Sequence, residues 1–184
     1  MVPGLITSDI LPVPGVDRQI DARHLPFADR SLKAIVGTNV LHHFPDLRAF
    51  FREAQRALRA GGRMVFIEPW PTPFSRPIYR YLHHEPFDEG RDWSLPPGGP
   101  LTAANGALPW IALERDCADF QRAFPFMSIR KIRPLMPVSY LLSGGIERAW
   151  PVPAWIFSVI RLLEKPLDFF GLFALLVVEK EKSS

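Results

Sequence analysis

The chain has 184 residues, of which 47% are hydrophobic and 22% charged, with a net charge of +3. This suits one globular domain and excludes disorder over the whole length. One cysteine, Cys117, excludes an internal disulfide framework and a cysteine-rich zinc site, and the small net charge without basic runs gives no signal for nucleic acid.

The first residues, Met1-Val2-Pro3-Gly4, lack the basic and apolar regions of a signal peptide. With the lone cysteine, this predicts a cytoplasmic protein. Residues 5–9 and 20–22 are short apolar steps that meet an acid, Asp9 and Asp21. Pro12, Pro14 and Gly15 between them oppose a helix. Residues 26–31 read as a turn and 32–40 as a buried strand. Leu47, Phe50, Phe51, Ala54, Ala57 and Leu58 then share one helical face. Asp46 is the expected N-cap and Gly61-Gly62 the expected stop. Arg48, Arg52, Arg56 and Arg59 occupy the other side, either as a phosphate-binding stripe or as a solvated face. Residues 64–68 read as a strand ending on Glu68, so strand, helix and strand form a parallel βαβ unit.

Residues 69–109 carry repeated prolines with aromatics between them, including Trp70, Phe74, Tyr79, Tyr81, Phe87 and Trp93. A segment this long and irregular predicts a lid insertion, with these aromatics as its own core. Residues 116–124 read as a helix and 126–133 as a strand. Residues 153–164 read as a second helix, with Trp155, Val159, Leu162 and Leu163 as its packing face. Residues 173–178 form a last apolar strand, expected to lie in one sheet with strands near 5–9, 33–38 and 64–68. The apolar stretch 154–178 is interrupted by Arg161, Glu164, Lys165, Pro166 and Asp168, so it does not read as a membrane span. Residues 153–173 can instead lie against a membrane surface.

Several pieces in order carry a family resemblance. They are Asp21-Ala22, Leu25-Pro26-Phe27, Asn39-Val40-Leu41-His42-His43, Glu53 with Arg56 and Leu58, and Gly61-Gly62 before the strand ending at Glu68-Pro69. Together they resemble the central part of a class I S-adenosylmethionine-dependent methyltransferase, of the type 11 kind. The resemblance covers about a third of the chain well. It implies a single α/β, Rossmann-like domain over residues 1–184. Its sheet would be mostly parallel, with flanking helices, an antiparallel last strand and a proline- and aromatic-rich lid at 69–109. Residues 68–145 also resemble a bacterial subgroup, through His83-His84-Glu85-Pro86-Phe87 and Ser143-Gly144-Gly145.

The family's opening strand and glycine-rich cofactor loop have no counterpart in these 184 residues. The domain therefore reads as incomplete, and the chain alone is expected to bind S-adenosylmethionine poorly. The resemblance implies cofactor contacts at Asp9, Asp21, Ala22 and Asn39. An acid at a strand end accepts hydrogen bonds from ribose hydroxyls; the alternative for each Asp is a turn-forming role. His42 and His43 are candidate bases for an acceptor hydroxyl or amine, or else a cap and a packing residue. Glu68, Trp70, His83 and His84 are candidate acceptor contacts, with Glu68 alternatively anchoring the lid. His83, His84, Glu85 and Asp88 could ligate a metal or form a hydrogen-bonded lid junction, and no metal is expected.

The function implied is methyl transfer to a small-molecule or lipid-like acceptor. Two alternatives stay open, a non-catalytic remnant serving as a binding module and a membrane-surface protein.

Overall fold

The structure, a computed structural model, describes residues 4–98, 103–142 and 153–182. The motif Ser143-Gly144-Gly145 lies outside them.

Two short strands, β1 (Ser8–Asp9) and β2 (Arg18–Gln19), pair in parallel as a sheet of their own. The main sheet contains β3 (Leu32–Thr38), β4 (Leu58–Pro69), β5 (Met127–Leu135) and β6 (Phe173–Lys180), in the order β3-β4-β6-β5. β3 pairs with β4 in parallel, and β6 pairs antiparallel with both β4 and β5. Three strands therefore point one way and only the last in sequence is reversed, as the resemblance implies. The expectation that residues 5–9 join this sheet is overturned, because β1 hydrogen-bonds only to β2 among the described strands. The segment is too short and exposed to extend further: Leu5 and Ile6 are 57% and 41% accessible.

Helix α1 (Leu47–Ala57) begins as its sequence predicts, with the Asp46 carboxylate accepting from the amides of Arg48 and Ala49. Leu47, Phe50, Phe51, Ala54 and Ala57 are buried. Each large side chain among them contributes about 1.5–3 kcal/mol of apolar burial. They pack on Met64 and Phe66 of β4 and on Leu176 and Val178 of β6. The helix ends before its expected glycine stop, because Leu58 already pairs with Leu32 of β3. Gly61, at φ +73°, serves instead the irregular stretch where the β3–β4 register slips. Gly37 in β3 permits a close approach, since a Cβ there would lie 2.6 Å from the Phe66 ring.

Residues 69–98 and 103–109 share the main core. They contain α2 (Ser75–Tyr81), and Trp70 and Trp93 belong to the main core rather than to a core of their own. The Leu47 amide donates to the Trp93 carbonyl and the Leu95 amide to that of Pro45, stitching this segment to the start of α1. The chain continues through α3 (Leu108–Trp110), a π-turn at Ile111–Arg115, and α4 (Cys117–Ala123), whose Phe120 completes the core.

A short α5 (Ser139–Leu142) precedes α6 (Ala154–Leu163), and a 3-10 turn follows at Lys165–Phe170. The expected packing face of α6 is overturned. Trp155, Val159, Leu162 and Leu163 are 70%, 48%, 62% and 70% accessible, whereas Ile156, Phe157 and Ile160 are half-buried. No helix among the described residues is long and apolar enough to cross a membrane.

Candidate functional site

The site forms where β3 and β4 end side by side. Asn39 follows β3 in the left-handed region, at φ +54°, and its amide donates to the Ile67 carbonyl. This turn lifts the chain out of the sheet and into a 3-10 turn at Leu41–His43. Glu68, fully buried near the end of β4, holds the turn. Its Oε1 accepts from the amides of Val40 (2.9 Å) and Leu41 (3.0 Å), and its Oε2 lies 2.7 Å from His42 Nδ1. The neighbouring His43 packs its ring 4.2 Å from that of His42.

Glu85 approaches from the other side. Its amide donates to His83 Nδ1 at 3.2 Å. Its carboxylate meets both histidines of the turn, with Oε2 3.4 Å from His42 Nε2 and Oε1 3.5 Å from His43 Nε2. Asn105 supports this crossing. Its buried amide side chain pairs with the backbone of Asp88, and its own N–H donates to the His42 carbonyl.

The electrostatics follow from this sandwich. Burial opposes charge on His42, but Glu68 and Glu85 outweigh it and push its pKa up to about 9. Contact with His42 holds the Glu85 carboxyl down, to about 2. His83 is shifted down by burial, which favours its neutral form.

A cavity of about 160 Å³ opens here, lined by Asn39, His42, His43, His83, His84 and Glu85 with Pro69, Tyr140 and Phe173. A wider cleft of about 590 Å³ shares His43, His84 and Glu85 and runs past Pro86, Pro96 and Pro97. Polar groups thus gather at one end and apolar ones flank them, at the carboxyl ends of strands where open α/β sheets hold ligands.

The structure brings Asn39, His42, His43, His83 and His84 together around that cavity. It places Glu68 and Trp70 elsewhere: Glu68 is consumed by the turn, and Trp70 is buried in the core. Asp9, Asp21 and Ala22 do not line it. Asp9 ends β1 half-buried, with Oδ1 accepting from the Leu11 amide. Asp21 lies beyond β2, and both its oxygens accept from Arg23. Hydrogen bonding to Arg23 holds its carboxyl below the ordinary range. The cluster His83, His84, Glu85, Asp88 is not assembled around one point, because Asp88 turns to Gly90 and Arg91. The group able to hold a metal is instead His42, His43 and Glu85. The sequence groups Glu85 with His83, His84 and Asp88 rather than with His42 and His43, and it gives no signal for Asn105.

For S-adenosylmethionine, the fit is partial. Asp9 retains Oδ2 without a hydrogen bond among the described residues, as a ribose acceptor requires. Asp21 is committed to Arg23. No described loop offers a glycine-rich cradle of backbone N–H groups for the methionine end.

Residues 11–66 match the family model of the methyltransferase domain. The chain is 29% identical over 108 residues to a demethylmenaquinone methyltransferase of Thermobifida fusca, covering 59% of this chain and 37% of that protein. It is 43% identical over 56 residues to a demethylmenaquinone methyltransferase of Thermotoga maritima, covering 30% of this chain and 24% of that protein. The matched segment thus spans well under half the length of either relative. Among solved structures, an S-adenosylmethionine-dependent methyltransferase of Mesorhizobium loti aligns at a TM-score of 0.44 and 20% identity, covering 88% of this chain and 67% of that one.

Proposed function

We propose that this chain, whose residues 11–66 match the methyltransferase domain model, is part of a class I S-adenosylmethionine-dependent methyltransferase and contributes to methyl transfer onto a small or lipid-like acceptor. The cavity at the ends of β3 and β4 is its acceptor site. The observation that carries this reading is the meeting of Asn39, His43 and Glu85 around one opening, with apolar Pro69 and Phe173 beside them. The quinone methyltransferases among the relatives support an acceptor with a polar ring and an apolar body.

The cofactor supplies an electrophilic methyl group on a sulfonium. Asp9 would hold its ribose, and Ala22 would leave room for its adenine ring. Asn39, His43 and Glu85 would hold the acceptor atom in line with that methyl group. Positioning and exclusion of water do most of this work. Of the two histidines, His42 is an imidazolium at neutral pH and holds Glu85 in place. His43 faces the opening and is the one suited to take the acceptor's proton.

The test is amide-shift mapping by NMR with S-adenosylhomocysteine and with a hydroquinone. The first should perturb Asp9, Asp21 and Ala22 with an affinity near ~1 mM, about −4 kcal/mol. The second should perturb Asn39, His43 and Glu85. Silence at both sets overturns the reading.

A second reading, compatible with the first, is peripheral membrane contact through residues 153–173. The exposed apolar row Trp155, Val159, Leu162 and Leu163 favours it, extended by Leu167, Phe169 and Phe170. Co-sedimentation with lipid vesicles should be lost in a Trp155→Ser, Leu163→Ser variant. Equal sedimentation of the variant and the parent chain would refute it.

A further inference from the structure

We propose that His42, His43 and Glu85 form a binding site for a divalent first-row cation of the zinc class, with a coordination position open to the cavity. The three residues come from two separate segments, and their ligand atoms lie within 4.8 Å of one another. The closest approaches of Glu85 are 3.4 Å to His42 Nε2 and 3.5 Å to His43 Nε2. Charge-assisted hydrogen bonds close to about 2.7–2.9 Å, so these gaps are too long for direct hydrogen bonds of that strength. Each is made by a different carboxylate oxygen, Oε2 toward His42 and Oε1 toward His43, and each lies near the roughly 3.3 Å between neighbouring ligands of a tetrahedral ion with bonds of ~2.0–2.1 Å.

The surrounding groups agree. Glu68 Oε2, at 2.7 Å, accepts the Nδ1 proton of His42 and leaves its Nε2 toward the cavity, where the arriving cation displaces the second proton of the imidazolium. A buried carboxylate behind a ligating imidazole fixes the tautomer and raises the basicity of the ligand. Glu68 is itself locked by two backbone amides, so the imidazole is oriented before any ion arrives. Glu85 meets this point and Glu68 stands behind His42, with no lysine or arginine paired to either carboxylate among the described ion pairs. A dication compensates that charge. Two imidazoles and one carboxylate favour Zn²⁺, Co²⁺ or Fe²⁺ over Mg²⁺, which prefers oxygen ligands. Three protein ligands leave a fourth position for water or an acceptor oxygen, and that position faces the opening lined by Asn39 and His84.

This inference rests on the proposed acceptor site for its consequence alone. With the cation in place, an acceptor hydroxyl bound at the open position would have its pKa lowered by the metal's charge and would pass its proton to solvent water in the open cleft, and His43 would serve as a ligand rather than a base.

The experiment uses the untagged full chain, freed of metal by chelation and titrated with Co²⁺ and Zn²⁺. One equivalent of Co²⁺ should give the visible absorption of a four- or five-coordinate site, and Zn²⁺ should displace it. Glu85→Gln and His43→Ala should each weaken binding about 100-fold or more, with folding checked by circular dichroism. Glu68→Gln, which leaves all three ligands, should weaken it about 10–100-fold. Binding of less than a tenth of an equivalent would overturn the proposal, as would equal affinity in the His43→Ala, Glu85→Gln double variant. Mg²⁺ competing as well as Zn²⁺ would also overturn it. A chain that binds Co²⁺ in this way yet transfers no methyl group would retain the metal site and lose the methyltransferase reading.

Discussion

The Glu68 carboxylate, at the end of one strand, closes a 2.7 Å contact with His42 Nδ1 in the turn after the neighbouring strand. Both side chains are nearly inaccessible, at 0% for Glu68 and 2% for His42. The turn that carries the site is therefore fixed from below by one charged group.

Replacing that group should be costly. Glu68→Ala leaves two amides and the His42 ring without their acceptor. Removing one partner of a buried pair costs about 3–5 kcal/mol. Urea denaturation of the variant should show a loss of that order, and a change below ~1 kcal/mol would show that the turn holds without Glu68.

Phe51 should rank among the most sensitive core positions. It is 1% accessible and meets Phe120, Phe124 and Trp93 edge-on, at 5.0, 5.5 and 6.2 Å between ring centroids. Phe51→Ala should cost about 3–5 kcal/mol, read from the shift in the urea midpoint.

At the start of α1, Asp46→Ala removes the acceptor for the amides of Arg48 and Ala49. The expected loss is ~1 kcal/mol. Asp46→Asn, which can still cap, should recover most of it in the same assay.

Glu53 gives a pH dependence. Hydrogen bonding to Arg56 and to the Leu25 amide holds its carboxyl below the ordinary 4.5, against the opposing effect of burial. A depressed folded-state pKa means that the stabilisation is complete above pH 4.5 and lost as pH falls through the folded value. Stability of the parent chain should therefore fall more steeply below that pH than stability of Glu53→Gln. Parallel acid limbs would show that the Glu53 contacts contribute nothing.

Much of the βαβ unit was legible because its signals are local. The Asp46 cap and the apolar face from Leu47 to Ala57 each depend on residues within one helix. The position of Asn39, His42 and His43 just beyond a strand end was legible for a similar reason: β3 reads clearly. What the sequence hid depends on contacts between distant segments. Glu85 meets His42 across 43 positions, and nothing periodic marks such a crossing. The prolines around Trp93 point to a core within the lid insertion, yet its ring packs on Phe51. The apolar residues of α6 show helical spacing, but spacing gives a face and not its neighbour. Trp155 and Leu163 lie on the outside. The helix stop at Gly61-Gly62 failed because pairing of Leu58 with β3 outcompeted another helical turn.

Arg56 carries a mechanical consequence. Its guanidinium donates to the carbonyls of Leu25 and Phe27 and to Asp29 and Glu53, while the Glu53 carboxylate takes the Leu25 amide. These bonds clamp the connection between the β1–β2 pair and the main sheet. Asp9 and Asp21 stand on one side of that clamp and His43 on the other. Its Asp29 arm is exposed and within reach of dissolved ions, whereas the aromatic core is not. Rising salt should therefore slacken the hinge before it melts the fold. A molecule gripping both sides would then feel ionic strength as a change in the spacing of its two handholds.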